Sequence, residues 1–369
     1  MTDHRPDINY WLLPFSWLYG WGVGLRNKLF DWGWLRSKSF RIPVICIGNL
    51  AAGGTGKTPH TEYLIRLLQQ AGLQVATLSR GYKRKTKGYV LATPQSTAWE
   101  VGDEPCQMKQ KFPNVRVAVD ADRREGIEKL MQMDTPRTDV ILLDDAFQHR
   151  YVNAGLNILL TDYNRLFCED RLLPAGLLRE PTSGKYRAQI VIVTKCPRDI
   201  KPIDFNITAK RLQLYPCQQL YFTQVRYGSP RPLFPGQAAR QILPDSLTGE
   251  DTQILLVTGI ASPRPMQEEV QRYTRQVTLL AFGDHHDFST GDLRLIGQKF
   301  AQMEAKNRFI LTTEKDATRL KDHPALPPEM KPHIHVLPIE VDFLLNQKEI
   351  FNQNILKYVR THSRNSCLP

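Results

Sequence analysis

Residues 51–58, which read Ala-Ala-Gly-Gly-Thr-Gly-Lys-Thr, have the residue types and spacing of a phosphate-binding loop. Glycines let backbone N–H groups converge on phosphate oxygens, and a following helix adds the positive end of its dipole. In such a loop Lys57 contacts the β- and γ-phosphates and the Thr58 hydroxyl binds Mg²⁺. Ala51 stands at the position of the first glycine in the usual pattern, and it is small enough to keep the turn. The predicted nucleotide-binding residues are Ala51, Ala52, Gly53, Gly54, Thr55, Gly56, Lys57 and Thr58.

The segments on either side of this loop predict the elements that must position it. Residues 42–50 form an apolar, β-branched run typical of a buried strand. Pro59 then opens a helical pattern that stops at Gly72. A strand, a glycine-rich loop and a helix in this order are the context that a P-loop requires.

A second chemical feature is an acidic pair at the end of a predicted strand. Residues 138–145 read Thr-Asp-Val-Ile-Leu-Leu-Asp-Asp, so Asp144 and Asp145 follow a buried run. Ligands of open α/β sheets bind at the carboxyl ends of the strands, and P-loop enzymes place an acidic Mg²⁺ partner there. The pair is therefore a candidate metal site, although one of the two carboxylates could instead cap the next helix.

The remaining pattern predicts an α/β protein with a P-loop NTPase-like, mostly parallel sheet flanked by helices. Further strands are expected at 74–79, 115–119, 156–160 and 189–194, with helical stretches between most of them. A second, smaller α/β unit follows, and segments 220–225 and 335–341 are expected to form a two-stranded antiparallel linker. The predicted divisions are a segment 1–40, a P-loop domain 41–218, a second domain 219–342 and a C-terminal helix and tail 343–369.

The N-terminal 40 residues are rich in aromatic side chains, and they contain five of the six tryptophans. Residues 8–25 carry no formal charge, and arginines and lysines follow them. Trp and Tyr favour the headgroup zone of a membrane, and basic side chains are attracted to anionic lipid. Three alternatives are open: the segment lies in the membrane interface, spans the bilayer, or packs on the protein's own core.

Composition limits the classes of protein to which the chain can belong. Its 369 residues are 41% hydrophobic and 23% charged, which is globular rather than disordered. A net charge of +12 favours anionic partners, such as nucleotide phosphates, nucleic acid or an anionic membrane surface. The six cysteines form no metal-binding spacing, so reduced thiols are expected.

An ordered set of motifs resembles the tetraacyldisaccharide 4′-kinase family. The motifs are GNLAAGGTGKTP, SRGYKRKTKGY, VGDEP, LLDDAFQHR, LLPAGLLREP, GDHHDF and TTEKDA. The resemblance implies a kinase that uses ATP and Mg²⁺ to phosphorylate the 4′-hydroxyl of a lipid A disaccharide precursor. It also implies peripheral association with the cytoplasmic face of the inner membrane. No nucleic-acid partner and no obligate protein partner are expected.

The same resemblance assigns roles to individual residues. Asp103 matches the catalytic base, and His285 matches its partner in an Asp–His dyad, with the adjacent His286 as an alternative. Asp144 and Asp145 match the acidic metal-binding pair, while Arg179 and Glu180 match a loop near the phosphates and the metal. The expected catalytic residues are Asp103, His285, Lys57, Asp145 and Arg179, and the expected metal-binding residues are Thr58, Asp144, Asp145 and Glu180.

Several of these residues also have simpler interpretations. Asp103 could cap a helix or close an Asx turn, and His285 could be a loop histidine paired with Asp284 or Asp287. A basic cluster at 80–87 could bind a lipid phosphate or be a solvated loop.

Two other functions compete with the kinase. One is a different P-loop enzyme, such as an ATP-dependent ligase or a regulatory NTPase, whose Trp-rich end is ordinary core. The other is a nucleic-acid binder, for which no module motif is present.

Overall fold

A computed structural model describes residues 8–237, 251–284 and 286–365. The described strands are β1 (Val44–Asn49), β2 (Val75–Ser79), β3 (Val90–Leu91), β4 (Arg116–Val119), β5 (Val140–Asp144), β6 (Leu156–Asp162), β7 (Ile190–Thr194), β8 (Gln219–Tyr227), β9 (Arg231–Pro232), β10 (Thr252–Thr258), β11 (Val277–Ala281), β12 (Asn307–Thr313), β13 (Ile334–Leu337) and β14 (Ile339–Phe343). The described α-helices are α1 (Leu13–Asp31), α2 (Lys57–Gln70), α3 (Ala98–Val101), α4 (Asp103–Lys111), α5 (Arg123–Met131), α6 (Pro202–Leu212), α7 (Arg264–Val270), α8 (Thr290–Ala301), α9 (Glu314–Lys321) and α10 (Lys348–Asn365).

The chain divides into two compact units, residues 1–225 with 341–369 and residues 226–340. The first unit is built on a nine-stranded sheet in the order β14-β8-β7-β6-β1-β5-β2-β4-β3. The strands from β8 to β4 in this order pair in parallel, and β3 is antiparallel to β4. Because β5 and β6 flank β1, the carboxyl ends of these three strands meet at one edge of the sheet.

Helices cover both faces of this sheet, which explains why its central strands are apolar along their whole length. Every residue of β1, β5 and β7 is buried. On one face α2, α4 and α10 contribute side chains such as Leu64, Met108 and Phe351 to the core. On the other face α5 and α6 contribute Ile127 and Leu212. The predicted class, a mostly parallel α/β sheet flanked by helices, is confirmed.

The second unit has a five-stranded sheet in the order β11-β10-β12-β13-β9. Its first four strands pair in parallel and β9 is antiparallel to β13. Helix α8 begins with a capping box between Ser289 and Asp292, and Thr313 caps α9. The predicted second, smaller α/β unit is therefore present.

The predicted linker pairing of 220–225 with 335–341 is wrong in part. Strand β8 is a neighbour of β14 in the nine-stranded sheet, but the run 335–341 divides at Pro338. Residues before the proline belong to β13 of the five-stranded sheet, and those after it belong to β14. The two compact units divide at 225/226 and 340/341. The divisions at 40/41, 218/219 and 342/343 stay a prediction.

Helix α1 packs against the rest of the first unit along a narrow face and leaves its tryptophans exposed. Ser16 and Phe30 are its only buried residues. Trp17 and Trp21 are 74% and 73% exposed, and Trp11, just before the helix, is 90% exposed. The tryptophans are therefore not core residues. Within the described residues, no helix has both the length and the apolarity needed to cross a bilayer.

Candidate active site

The loop between β1 and α2 leaves open space at two of its glycines, Gly53 and Gly54. Gly53 and Gly56 have φ values of +107° and +83°, which an L side chain adopts only with strain. A Cβ atom built at Gly53 or Gly54 would have no heavy atom within 4 Å. The loop ends at the N-terminus of α2, whose first turn carries no acidic residue. This geometry suits a phosphate group, because the backbone at Gly53 and Gly54 and the N-terminus of α2 are not covered by side chains at these glycines.

Polar contacts from neighbouring strands hold the loop in this shape. Asn49, the last residue of β1, is fully buried, and its Nδ2 donates to Thr55 Oγ1 at 2.8 Å. The Thr194 hydroxyl, at the end of β7, donates to the Thr55 carbonyl at 2.9 Å. Segment 177–178 pairs with the start of the loop, where Ala52 N donates to Leu177 O at 2.7 Å. These contacts from the protein hold the backbone of the loop in place.

Lys57, Asp145 and Arg179 form a charged cluster beside the loop. Arg179 binds Asp145 with both terminal nitrogens, at 2.7 Å and 3.2 Å. It also donates to Asn49 Oδ1. Lys57 Nζ lies 3.8 Å from Asp145 and 3.5 Å from Asn49 Oδ1. The structure therefore brings together three of the predicted catalytic residues, two of them cationic, as the site of a triphosphate requires.

The two adjacent carboxylates have opposite electrostatic environments. Burial, with the negative charges of Glu104 and Asp145, raises the pKa of Asp144 to about 7. Burial would also raise the pKa of Asp145, but Lys57 and Arg179 outweigh it and hold that pKa below its usual range. Asp144 is fully buried, and its Oδ1 accepts a hydrogen bond from Thr61 at 3.1 Å. A buried carboxylate with excess negative charge around it fits a cation-binding role.

The predicted metal-binding residues fit Mg²⁺ better than a metal held by protein alone. Among the described residues, no three His, Cys, Asp or Glu side chains converge on one point. Mg²⁺ usually keeps water ligands and is held by one or two carboxylates and the substrate phosphates. Thr58 lies in the first turn of α2, one strand away from Asp144. The carboxyl end of β5 and the start of α2 therefore supply the donor types that this ion takes.

Glu180 is buried next to the charged cluster rather than open to the loop. Its Oε2 accepts from Arg187 at 2.6 Å and from Asn27 at 3.4 Å. Its Oε1 is buried and has no hydrogen-bond partner in the described structure. One oxygen of Glu180 is thus used by the fold, and its role as a metal ligand stays a prediction.

Asp103 is the first residue of α4. Gly102 precedes it with a φ of +93°, and a Cβ at Gly102 would meet the Tyr82 carbonyl at 2.9 Å. The adjacent Glu104 raises the pKa of Asp144, so the start of α4 lies within electrostatic range of the end of β5. Asp103 is partly exposed. A partly exposed carboxylate at the start of a helix that comes near the end of β5 is compatible with a base.

His285, the predicted partner of Asp103, lies outside the described residues. The alternative, His286, belongs to the second unit and its Nε2 lies 2.9 Å from Asp292. Its ring stacks on Phe282. Since Asp292 is also the acidic member of the capping box of α8, His286 has a structural partner within its own unit.

Comparison with known proteins decides the family. The chain matches the family described as tetraacyldisaccharide-1-P 4′-kinase, LpxK, over residues 8–360. The chain belongs to this family. It is 60% identical to the tetraacyldisaccharide 4′-kinase of Bacteroides thetaiotaomicron over 99% of its length and 97% of that protein, and 46% identical to that of Porphyromonas gingivalis over 96% and 98%. The resemblance inferred from the motifs is confirmed, and the chain is a kinase.

A solved structure in the LpxK family supports the same fold. The crystal structure of LpxK from Aquifex aeolicus in complex with ATP matches with a TM-score of 0.72 and 28% identity. The match covers 94% of this chain and 98% of that one. The nine-stranded arrangement around the phosphate loop therefore belongs to an LpxK fold of which another member binds ATP.

Three residues of the site were not singled out from the sequence. Asn49 connects the loop, Lys57 and Arg179; Thr61 binds Asp144; and Glu104 acts on the pKa of Asp144. The sequence held a sign of the role of Asn49, because a polar amide ends an otherwise apolar strand just before the P-loop. It held another for Thr61, which lies one turn beyond Lys57 on α2.

The basic cluster at 80–87 is partly structural. Arg84 donates to the carbonyls of Gly88 and Val119, at 2.7 Å and 3.3 Å, and Lys85 Nζ lies 4.0 Å from the Trp99 ring centre. Gly81 approaches the Val101 carbonyl so closely that a Cβ would lie 2.8 Å from it. Two of the five basic side chains are therefore used to fold the loop beside α4.

Proposed function

We propose that the chain transfers the γ-phosphate of ATP to the 4′-hydroxyl of a tetraacyldisaccharide 1-phosphate, giving the 4′-phosphorylated lipid A precursor, lipid IVA. The observation that supports this most directly is the open glycine loop with Lys57, Asp145 and Arg179 beside it. Phosphoryl transfer depends mainly on positioning and on neutralising negative charge, and this cluster supplies both. Lys57 and Arg179 balance charge on the triphosphate, and the loop backbone orients it.

Mg²⁺ is the expected metal cofactor. Thr58, Asp144, Asp145 and Glu180 are the residues that would hold it. The bound ion would neutralise charge on the β- and γ-phosphates. The buried position and raised pKa of Asp144 support this role, since a nearby cation favours its ionised form.

Asp103 is proposed to accept the proton of the 4′-hydroxyl as the new O–P bond forms. A carboxylate within hydrogen-bond distance of the acceptor can take this proton. Its position at the start of α4, close to the end of β5, supports this assignment. His285 is proposed to orient that carboxylate or to relay its proton.

The exposed face of α1 is proposed to bind the membrane surface, so that the enzyme is peripheral at the cytoplasmic face of the inner membrane. Trp11, Trp17 and Trp21 present large aromatic side chains to the exterior. Indole rings favour the headgroup zone, and the net charge of +12 favours anionic lipid. The acceptor is itself a lipid, so binding at this surface brings the enzyme to its substrate.

The function is tested by incubating the protein with labelled ATP and the disaccharide lipid in detergent micelles. We expect label on the lipid, dependent on Mg²⁺. ATP turnover that does not require the lipid would instead support a different P-loop enzyme. Tight, salt-sensitive oligonucleotide binding without turnover would support a nucleic-acid binder.

Changing Asp103 to Asn should lower kcat by roughly 10²–10⁴-fold, the usual contribution of general-base catalysis. The affinity for ATP should stay near normal, because Asp103 acts on the acceptor. The measurement is kcat in the micelle assay together with ATP binding by titration calorimetry. A variant with wild-type turnover would remove Asp103 as the base.

Changing Trp17 and Trp21 together to Ala should weaken binding to vesicles containing phosphatidylglycerol. Both side chains are more than 70% exposed, so the free energy of unfolding should change little. Vesicle flotation measures the bound fraction, and Ile203→Ala provides a control because Ile203 is also exposed but lies on α6. Equal flotation of the double variant and the control would contradict membrane binding through α1.

A further inference from the structure

Helix α1 is hydrogen bonded to the segment that carries Arg179 and Glu180. The Ser16 hydroxyl donates to Leu172 O and accepts from Ala175 N, both at 2.9 Å. The Tyr19 hydroxyl donates to the Arg179 carbonyl at 2.9 Å. Because Ser16 and Tyr19 are three residues apart, they lie on the same face of the helix. This face contacts segment 172–180, whereas the tryptophans are exposed.

The approach of the helix to this segment is close. A Cβ at Gly20 would lie 2.6 Å from Leu172 Cδ1, a distance that side chains do not tolerate without a shift. The glycine therefore allows the Leu172 side chain to pack directly on the helix, next to Tyr19. Gly20 follows Tyr19 directly and is itself half-buried, so it belongs to the face that contacts segment 172–180.

Arg179 is held from two sides. Its backbone N–H donates to Leu50 O at 2.7 Å, next to the phosphate loop, and its guanidinium binds Asp145. Its carbonyl accepts from Tyr19. The orientation of the guanidinium therefore depends on a peptide that α1 fixes directly.

Glu180 is held by the same helix, about two turns further along, eight residues after Tyr19. Asn27 Nδ2 donates to Glu180 Oε2 at 3.4 Å, and Arg187 donates to the same oxygen at 2.6 Å. Burial raises the pKa of Tyr19, with Glu180 raising it further and Arg179 lowering it, so all three groups share one environment. The Asn27 carbonyl in turn accepts from Arg150, which follows the Asp145 turn, at 2.9 Å.

We propose that α1 is part of the phosphoryl-transfer site, with Tyr19 and Asn27 as positioning residues for Arg179 and Glu180. The inference rests on the proposed role of Arg179 in balancing charge on the triphosphate. Tyr19 fixes the Arg179 peptide, and Asn27 fixes the Glu180 carboxylate. One helix thus presents aromatic side chains on its exposed face and orients site residues with the opposite face.

The test compares Tyr19→Phe with Tyr358→Phe, a matched control. Tyr358 also donates its hydroxyl to a backbone carbonyl, that of Val44, at 3.1 Å, but this bond lies at the start of β1, away from the phosphate loop. The full-length proteins are assayed with ATP and the disaccharide lipid in micelles, and kcat and both KM values are measured. Vesicle flotation and thermal unfolding are recorded for each protein.

We expect Tyr19→Phe to lower kcat about fivefold, the size expected from one net hydrogen bond, while KM for ATP, KM for the lipid and flotation stay at wild-type values. Tyr358→Phe should leave kcat unchanged. A lower kcat in Tyr19→Phe alone would indicate positioning. A general loss of structure from removing a tyrosine hydroxyl would instead lower kcat in both variants.

Two results would overturn the proposal. One is a kcat of Tyr19→Phe equal to that of wild type. The other is an effect confined to the lipid KM or to flotation, because α1 would then act only as an anchor. Should Tyr19→Phe fail to fold, Asn27→Ala is judged by the same criteria. A wild-type protein that labels no lipid would overturn the proposed function itself, whereas an active wild type with an unaffected variant overturns only this inference.

Discussion

Each of the two units contains a parallel strand that is followed by a glycine-containing turn, β1 in the first unit and β10 in the second, and the two turns differ in what faces their glycines. After β1, a Cβ at Gly54 would have no heavy atom within 4 Å. After β10, Gly259 N donates to Asp316 Oδ2 at 2.9 Å, and a Cβ at Gly259 would lie 2.9 Å from Asp316 Oδ1. One turn is open, and the other is closed by a carboxylate of the protein itself.

This difference shows why a parallel strand followed by a glycine does not by itself make a phosphate site. In the second unit a buried internal anion, Asp316, takes the backbone donor. In the first unit the nearby charges include the cations Lys57 and Arg179, and Asp145 is turned towards them. The backbone N–H groups after β1 can therefore bind a phosphate group, whereas the equivalent donor after β10, Gly259 N–H, is already bonded to Asp316.

The largest effect expected from this comparison is the loss of turnover when Lys57 is changed to Met. Removing one preorganised electrostatic contact to a transition state costs roughly 10²–10³-fold in kcat. The control is Lys129→Met, since Lys129 forms a partly exposed ion pair with Glu125 on α5. Initial rates in the micelle assay give kcat for both. Similar rates for the two variants would mean that the open turn after β1 is not the phosphate site.

Substituting alanine for one glycine in each turn should separate effects on ATP affinity from effects on the free energy of unfolding. Gly54→Ala meets no protein atom, so the free energy of unfolding should stay the same while ATP affinity falls about tenfold or more. Gly259→Ala must displace Asp316, which is fully buried and hydrogen bonded, so it should cost about 1–3 kcal/mol of stability with ATP affinity unchanged. Urea unfolding and calorimetry measure the two quantities. If ATP affinity fell in Gly259→Ala and not in Gly54→Ala, the turn after β10 rather than the turn after β1 would be the phosphate site.

The sequence was sufficient to predict most of the first unit, because its strands are continuous apolar runs and its P-loop is a local motif. The acidic pair at 144–145 was found by the same logic, since it ends a buried strand. The helix predicted from Pro59 begins two residues earlier, at Lys57. The split at Pro338 was missed because residues 335–341 read as one strand, and only the sheet that each half joins distinguishes them.

Contacts between distant loops were beyond the reach of such patterns. Arg179 reaches the phosphate loop through segment 177–179, which pairs with 50–52 across about 125 residues of sequence and has no periodicity of its own. Its role could be expected only from the family resemblance. The contact between Tyr19 and Arg179 is likewise invisible in the sequence, where the aromatic composition of α1 indicates only its exposed face.

The smallest effect concerns pH, and it tests the internal anion of the second unit. Burial raises the pKa of Asp316, although bonds from Gly259 N–H and the Thr313 hydroxyl and the charges of Arg319 and Lys315 lower it in part. Because the folded pKa lies above the unfolded one, the stability from this group is fully present below the unfolded pKa and is lost as pH rises through the folded value. The stability of wild type relative to Asp316→Asn should therefore fall as pH rises from 4 to 7.

Asp122 provides the opposite case and the control. A hydrogen bond from the Arg124 side chain lowers the pKa of Asp122 to about 2, so its contribution is present above the unfolded pKa of about 3.9 and is lost only as pH falls towards 2. Relative to Asp122→Asn, wild-type stability should stay constant from pH 5 to 7 and fall only at lower pH. Urea titrations at four pH values measure both differences. A flat difference for Asp316→Asn would mean that the carboxylate closing the turn after β10 is ionised at no cost, and that charge does not distinguish the two glycine turns.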